Sequence, residues 1–287
     1  MTRSSAPTST CAGTALPKEA QADPSRCGIC RSGEDCGVPF EFAFQPIVDL
    51  ESGGIFGHEA LVRGPRGEPA PTVLSQTNDG NRYNFDQSCR VKAINTACDL
   101  GLRERQGEML SINFLPRAVY RPELCIQTTL RTARQRNLDV GQILFEVTEG
   151  ERIEDGPWFA EILREYRKQG FLTAIDDFGA GYAGLRLLAD FQPDVVKIDM
   201  DLVRNVDRSP SRQAIARAVI RMAQELHIRI VAEGVETAGE RDFFLHEGVS
   251  LLQGYLFCRP LFRQLTTFAA CTAGGATAAS RSAAPSA

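Results

Sequence analysis

The sequence predicts an α/β fold, a (β/α)8 TIM-like barrel with one antiparallel strand at the start. Three observations predict it. Eight apolar runs of strand length recur along the chain, and helical stretches separate the last six. Only the short turn DLESGG separates the first two runs, which leaves no room for a crossover, so those two pair antiparallel. Six of the runs also deliver polar side chains at or near their ends: Glu59, Asn113, Glu146, Asp176 with Asp177, Lys197 and Glu233. Barrel folds place their chemistry at strand ends in this way. An open doubly wound sheet is the competing architecture, and polar residues drawn from nearly every strand favour the barrel.

The elements follow in order. The first strand is read over Glu41–Val48 and the second over Ile55–Val62. The rhythm then changes: Phe85, Val91, Ile94, Ala97 and Leu100 give Asn81–Leu100 one buried helical face. Further strands are read at Leu110–Phe114, Ile143–Val147, Leu172–Ile175, Val195–Ile198, Ile228–Ala232 and Leu251–Gly254. One domain is expected over residues 39–271. Residues 1–38, rich in Ser, Thr, Ala, Pro, Gly and Cys, read as a disordered arm, and residues 272–287, TAGGATAASRSAAPSA, as a disordered low-complexity tail.

Composition narrows the function classes. The 287 residues are 43% hydrophobic and 24% charged, ordinary for a soluble globular protein. A net charge of −4 argues against a nucleic-acid polymer or an anionic membrane as partner. No apolar run approaches the roughly 20 residues that span a bilayer. The first residues carry no apolar signal segment. Nine scattered cysteines do not form a disulfide framework, and the cytoplasm is the expected compartment. Cys27-Gly28-Ile29-Cys30, with Cys36 beyond, looks like half of a zinc site without a second half. A metal, a redox-sensitive pair and free thiols stay open there, with free thiols favoured. His58, His227 and His246 lack ligand spacing, and strand alternation turns His58 away from Glu59.

Converging carboxylates repel one another and need cations, so the strand-end acids read as a divalent-metal site. Each residue alone has a plainer reading. Glu59 alone is a surface acid, Asp176-Asp177 a helix cap, and Lys197 a salt-bridged lysine. Their joint placement is what favours chemistry. Oxygen ligands with one amide suit Mg²⁺ or Mn²⁺ better than Zn²⁺. Two such ions about 4 Å apart would neutralise a phosphodiester and acidify a water, and a lysine beside them adds fixed positive charge.

The segments GHEALVRG, LSINF, LFEVTEG, IDDFGAGYAGL, VVKID, AEGVET and LLQGYLF, together with the opening AFQPIVDLESGGIFGHEALVR, resemble the EAL family of cyclic di-GMP phosphodiesterases. The resemblance runs from about Phe42 to Pro260. It implies a stand-alone metal-dependent phosphodiesterase that converts cyclic di-GMP to linear pGpG. Two divalent cations are implied, one held by Glu59, Asn113, Glu146 and Asp176, and a second by Asp176, Asp177 and Glu233. Lys197 would contact the attacking water and the phosphate. Gln45, Leu61, Arg63, Asp199, Glu236 and Gln253 would line the substrate, and Glu149 would support the loop Asp177–Leu185. The sequence departs from the common pattern at Gly64, Phe114-Leu115-Pro116, Ala180 and Ala183-Gly184, none of them an implied ligand. The resemblance also implies a homodimer through the Phe178–Leu185 loop and a helix near Ser211–His227, with Ile215, Val219, Ile220 and Met222 as its apolar stripe. No cyclase-like segment is read in the sequence. How activity is controlled is not legible there, and an unidentified regulatory protein stays open as a partner. A nucleotide sensor or protein-interaction module without turnover is the alternative. The full set of implied ligands favours the enzyme over it, and over another metal phosphohydrolase on the same barrel.

Overall fold

Two strands too close in sequence for a crossover begin the sheet. β1 (Glu41–Asp49) and β2 (Gly54–Arg63) pair antiparallel, with Gln45 opposite Glu59. The chain is described here by a computed structural model covering residues 37–148, 156–180 and 184–272. Cys27, Cys30, Cys36 and Glu149 lie outside the described residues, as do nearly all of the expected arm and tail.

Six more strands follow: β3 (Met109–Asn113), β4 (Ile143–Thr148), β5 (Leu172–Phe178), β6 (Val195–Ile198), β7 (Arg229–Ala232) and β8 (Leu251–Leu252). Each pairs parallel with the one before it, from β2 through β8. β8 then pairs antiparallel with β1, which closes the barrel. A short ninth strand, β9 (Leu261–Phe262), adds to β1 outside the closed ring. Its two residues are too few to give a periodic signal in the sequence. The strand bounds otherwise match the sequence reading to within about three residues. β5 runs on to Phe178 because the chain bulges between Ile175 and Phe178.

Helices wrap the outside: α1 (Ala70–Leu74), α2 (Arg82–Asp99), α3 (Pro122–Cys125), α4 (Gln127–Gln135), α5 (Gly156–Lys168), α6 (Gly184–Asp190), α7 (Met200–Val203), α8 (Pro210–Glu225) and α9 (Ala238–His246). Local chemistry sets several of their starts. Ser209 caps α8 ahead of Pro210, and Thr237 with Glu240 forms a capping box on α9. The buried face of α2 differs from the expected one. Val91 and Leu100 are only half-buried, while Phe85, Cys89, Ala93, Ile94 and Ala97 are buried together with Asp86 and Arg90. Among the described residues no helix is long and apolar enough to cross a membrane.

Inside the barrel, one layer is wholly apolar. Ile47, Leu144, Ala174, Val195, Val231 and Leu251 fill it, with Phe56 and Leu172 packed against them. This layer closes the end from which the parallel strands start. The polar strand ends therefore face the opposite opening.

Candidate metal centre

Lys197 occupies the middle of that opening. It is fully buried on β6, and its Nζ lies 2.6 Å from Glu233 Oε1, 3.0 Å from Asp176 Oδ1, 3.1 Å from Glu146 Oε2 and 3.4 Å from Glu59 Oε2. Strand periodicity delivers these groups. Glu146, Asp176 and Glu233 each stand two residues beyond a member of the apolar layer, on or just past the same strand. Asn113 is in register with Glu146, and its Nδ2 donates to Glu59 Oε1 at 3.0 Å. Gln253, just beyond β8, donates through Nε2 to Glu59 Oε2 at 2.8 Å.

Consecutive strand residues ordinarily point to opposite faces, yet Asp176 and Asp177 both line the cleft. Asp177 has a φ of 54°, a left-handed conformation inside the β5 bulge. That local strain turns the second carboxylate inward. Gly254 serves the same region by its lack of a side chain. A Cβ there would lie 2.0 Å from the carbonyl oxygen of Val235, so the Gln253-Gly254 turn closes against the Glu233–Glu236 segment only with glycine. The buried carboxylate of Glu240 holds that segment in turn, accepting from the amides of Asn205, Glu236 and Thr237.

The charges are strongly perturbed. Burial pushes the Glu146 carboxyl up to about 8, with Lys197 opposing and Glu59 and Asp176 adding to the rise. Burial, then Asp176 and Asp199, pushes Asp177 up to about 6. Burial and Asp176 hold Glu233 well above the usual carboxylate range, against the pull of Lys197. Burial disfavours the Lys197 charge, but Asp176, Glu146, Glu233 and Glu59 outweigh it and hold the ammonium charged. One ammonium thus faces five carboxyl groups, Asp177 included, and the raised Glu146 and Glu233 each hold a proton unless a cation takes its place. An excess of buried negative charge is costly unless cations meet it.

The donor set fits hard divalent ions. Ligand oxygens of Glu59, Glu146 and Asp176 lie within 4.8 Å of one another, and so do those of Asp176, Asp177 and Glu233. Asp176 belongs to both groups. Glu146 Oε1 is buried without a hydrogen-bond partner among the described residues, an acceptor left over for a cation. All these donors are oxygens, which hard divalent cations prefer.

The other expected residues divide between two clefts. Gln45, Asp199, Glu236 and Gln253 line a cleft of about 260 Å³ with Glu59, Asp176, Asp177 and Glu233. Gln45 donates to the carbonyl of Cys258, and Asp199 caps α7 through the amide of Asp201. Glu236 is half-exposed and lies 3.7 Å from Arg204. Leu61 and Arg63 face a neighbouring cavity of about 280 Å³, lined also by Asn113, Phe114 and Asp86. β2 therefore contributes to both. His58 does turn away from Glu59. It is fully buried, with Nε2 accepting the amide of Thr266 and Nδ1 3.4 Å from Glu108. The polar pair Asp86 and Arg90 was missed, because within an apolar helical face neither has a signal of its own.

A sequence profile of the EAL domain matches residues 38–260. The crystal structure of a standalone versatile EAL protein from Vibrio cholerae O395, in a c-di-GMP bound form, superposes with a TM-score of 0.77 at 49% identity, covering 80% of this chain and 95% of that one. The blue light- and temperature-regulated antirepressor BluF of Escherichia coli K12 is 37% identical over 218 residues, 76% of this chain and 53% of that protein. The cyclic di-GMP phosphodiesterase NbdA of Pseudomonas aeruginosa is 31% identical over 227 residues, 77% of this chain and 29% of that protein. The chain thus spans about half the length of BluF and less than a third of NbdA.

Proposed function

The chain belongs to the EAL domain family, and from that premise we propose that it hydrolyses cyclic di-GMP to linear pGpG with the help of two divalent ions, Mg²⁺ or Mn²⁺. The observation that carries this reading is the convergence of Glu59, Glu146, Asp176, Asp177 and Glu233 around Lys197. A sensor that only grips the nucleotide has no need for so costly a concentration of buried charge.

Glu59, Asn113, Glu146 and Asp176 are assigned to one ion, and Asp176, Asp177 and Glu233 to the other. Bound there, divalent ions would neutralise the phosphodiester and acidify an attacking water. The chain's own residues supply the rest. Lys197 Nζ, held by its carboxylate neighbours, is assigned to the attacking water and the phosphate, where it would add fixed positive charge. Asn113 and Gln253 orient the Glu59 carboxylate through their amide donors. Gln45, Asp199, Glu236 and Gln253 in the first cleft, and Leu61 with Arg63 in the second, are assigned to the dinucleotide.

The protein acts in the cytoplasm as a homodimer. Ile215 on α8 is 47% exposed, whereas Ile220 packs inward. The outward part of the stripe is free to meet a second copy, and a regulatory protein would act on that assembly. Incubation of the purified chain with cyclic di-GMP and Mn²⁺, followed by chromatography, tests the assigned reaction. Linear pGpG is the expected product, and nucleotide bound but unchanged would establish the sensor instead.

A further inference from the structure

A buried ion pair sits behind the Asn113 and Glu146 edge of the site, and the assigned chemistry makes no use of it. Asp86 and Arg90 stand one turn apart on α2, both buried, with Arg90 Nη2 2.8 Å from Asp86 Oδ2. Arg90 Nη1 donates to the hydroxyl of Tyr166 at 2.6 Å. The guanidinium carbon lies 5.4, 5.0 and 5.4 Å from the ring centroids of Phe114, Phe145 and Tyr166. Apolar residues of similar volume often serve stability as well as such a pair does, so burial alone does not account for it.

Its contacts point towards the metal ligands. Asp86 Oδ1 accepts the amide of Leu115 at 2.9 Å. The amide of Phe114 donates to the carbonyl of Glu146 at 3.0 Å. Asn113 is therefore followed by two anchored residues, one tied to the backbone of Glu146 and the other to Asp86. Phe114 and Phe145, two of the rings around the guanidinium, are the sequence neighbours of Asn113 and Glu146. Leu115 lines the neighbouring cavity beside Asn113 and leads into the turn at Pro116–Ala118, where a slack backbone would let the Asn113 side chain drift.

We propose that Asp86, oriented by Arg90 and Tyr166, is a positioning residue for the metal centre: its Oδ1 pins the turn after Asn113 and so sets Asn113 and Glu146 at ligand distance from one ion. This rests on the divalent-metal reading above. Residues that orient metal ligands typically change metal affinity by about 10–100-fold when removed.

Two double variants separate positioning from stability. Asp86→Asn/Arg90→Met removes the ion pair but keeps an acceptor for the Leu115 amide. Asp86→Leu/Arg90→Met removes both without leaving a lone buried charge. Mn²⁺ binding is read by calorimetry, and folding by melting in chelator. The first variant is expected to keep its Mn²⁺ dissociation constant within about threefold of the unaltered chain, and the second to weaken it about tenfold or more, at similar melting temperatures. Equal Mn²⁺ affinity in the two variants, whether kept or lost, overturns the proposal. Should either fail to fold, hydrogen exchange on the unaltered chain decides. Mn²⁺ is expected to slow amide exchange across residues 113–118 by about tenfold, and unchanged exchange overturns the proposal. An unaltered chain that binds no Mn²⁺ overturns the metal reading itself, and this inference with it.

Discussion

The two ends of the barrel interior are made from the same strands and do opposite things. On β4, Leu144 belongs to the apolar layer and Glu146 to the carboxylate cluster. The same step of two residues separates Ala174 from Asp176, Val195 from Lys197, Val231 from Glu233 and Leu251 from Gln253. β1 runs the other way, so there the polar residue comes first, Gln45 before Ile47. One end is closed by packing and needs nothing further. The other gathers buried acidic groups that packing alone does not stabilise, in clusters that could hold metal ions. A rigid apolar floor permits this, because it fixes strand register directly beneath the acids.

Substitutions at the two ends should therefore separate cleanly. The largest effect is expected from Lys197→Met. Hydrolysis of cyclic di-GMP should fall by about a thousandfold. In chelator the variant should lose about 3–5 kcal/mol of stability, because the carboxylates lose their counter-charge, and Mn²⁺ should restore much of it. Denaturant melts with and without Mn²⁺ check this. Leu144→Ala, at the floor, should cost about 2–5 kcal/mol of stability. Its Mn²⁺ affinity should stay near that of the unaltered chain; a large loss would mean that the two ends are not independent. Glu146→Gln sharpens the contrast in the other direction. Burial already pushes this carboxyl up to about 8, so the neutral amide should leave the metal-free chain as stable, or more stable by about 1 kcal/mol, while Mn²⁺ binding and turnover collapse. The smallest stability change is expected from Ile215→Asp on the exposed face of α8, within about 0.5 kcal/mol. Light scattering should nevertheless show weaker self-association.

The same contrast explains what the sequence disclosed. Each member of the charged end stands where an apolar run meets a polar residue; alone each reads as a surface acid, a cap or a salt-bridged lysine, and only the recurrence of that pattern over strand after strand made the cluster legible. The antiparallel hairpin was legible from the shortness of DLESGG. Three features were not. The inward turn of Asp177 depends on a left-handed φ that Asp-Asp-Phe-Gly permits without dictating. β9 is too short to carry a period. Asp86 and Arg90 look like surface charges on an amphipathic helix, and only the three-dimensional packing of Phe114, Phe145 and Tyr166 reveals them as buried. Local patterns report which face a residue takes, whereas partners distant in sequence decide what that face meets.

If the carboxylate end is a metal centre, Mn²⁺ stabilises the fold through Glu59, and thermal melting of the unaltered chain beside Glu59→Ala measures this. Both are melted in chelator and again with Mn²⁺ at about a hundred times its dissociation constant for the unaltered chain, where binding contributes about 2.7 kcal/mol. The unaltered chain is expected to gain about 5 °C or more, and Glu59→Ala to gain little. Equal melting temperatures with and without Mn²⁺ in the unaltered chain would contradict the account, and so would an undiminished gain in Glu59→Ala.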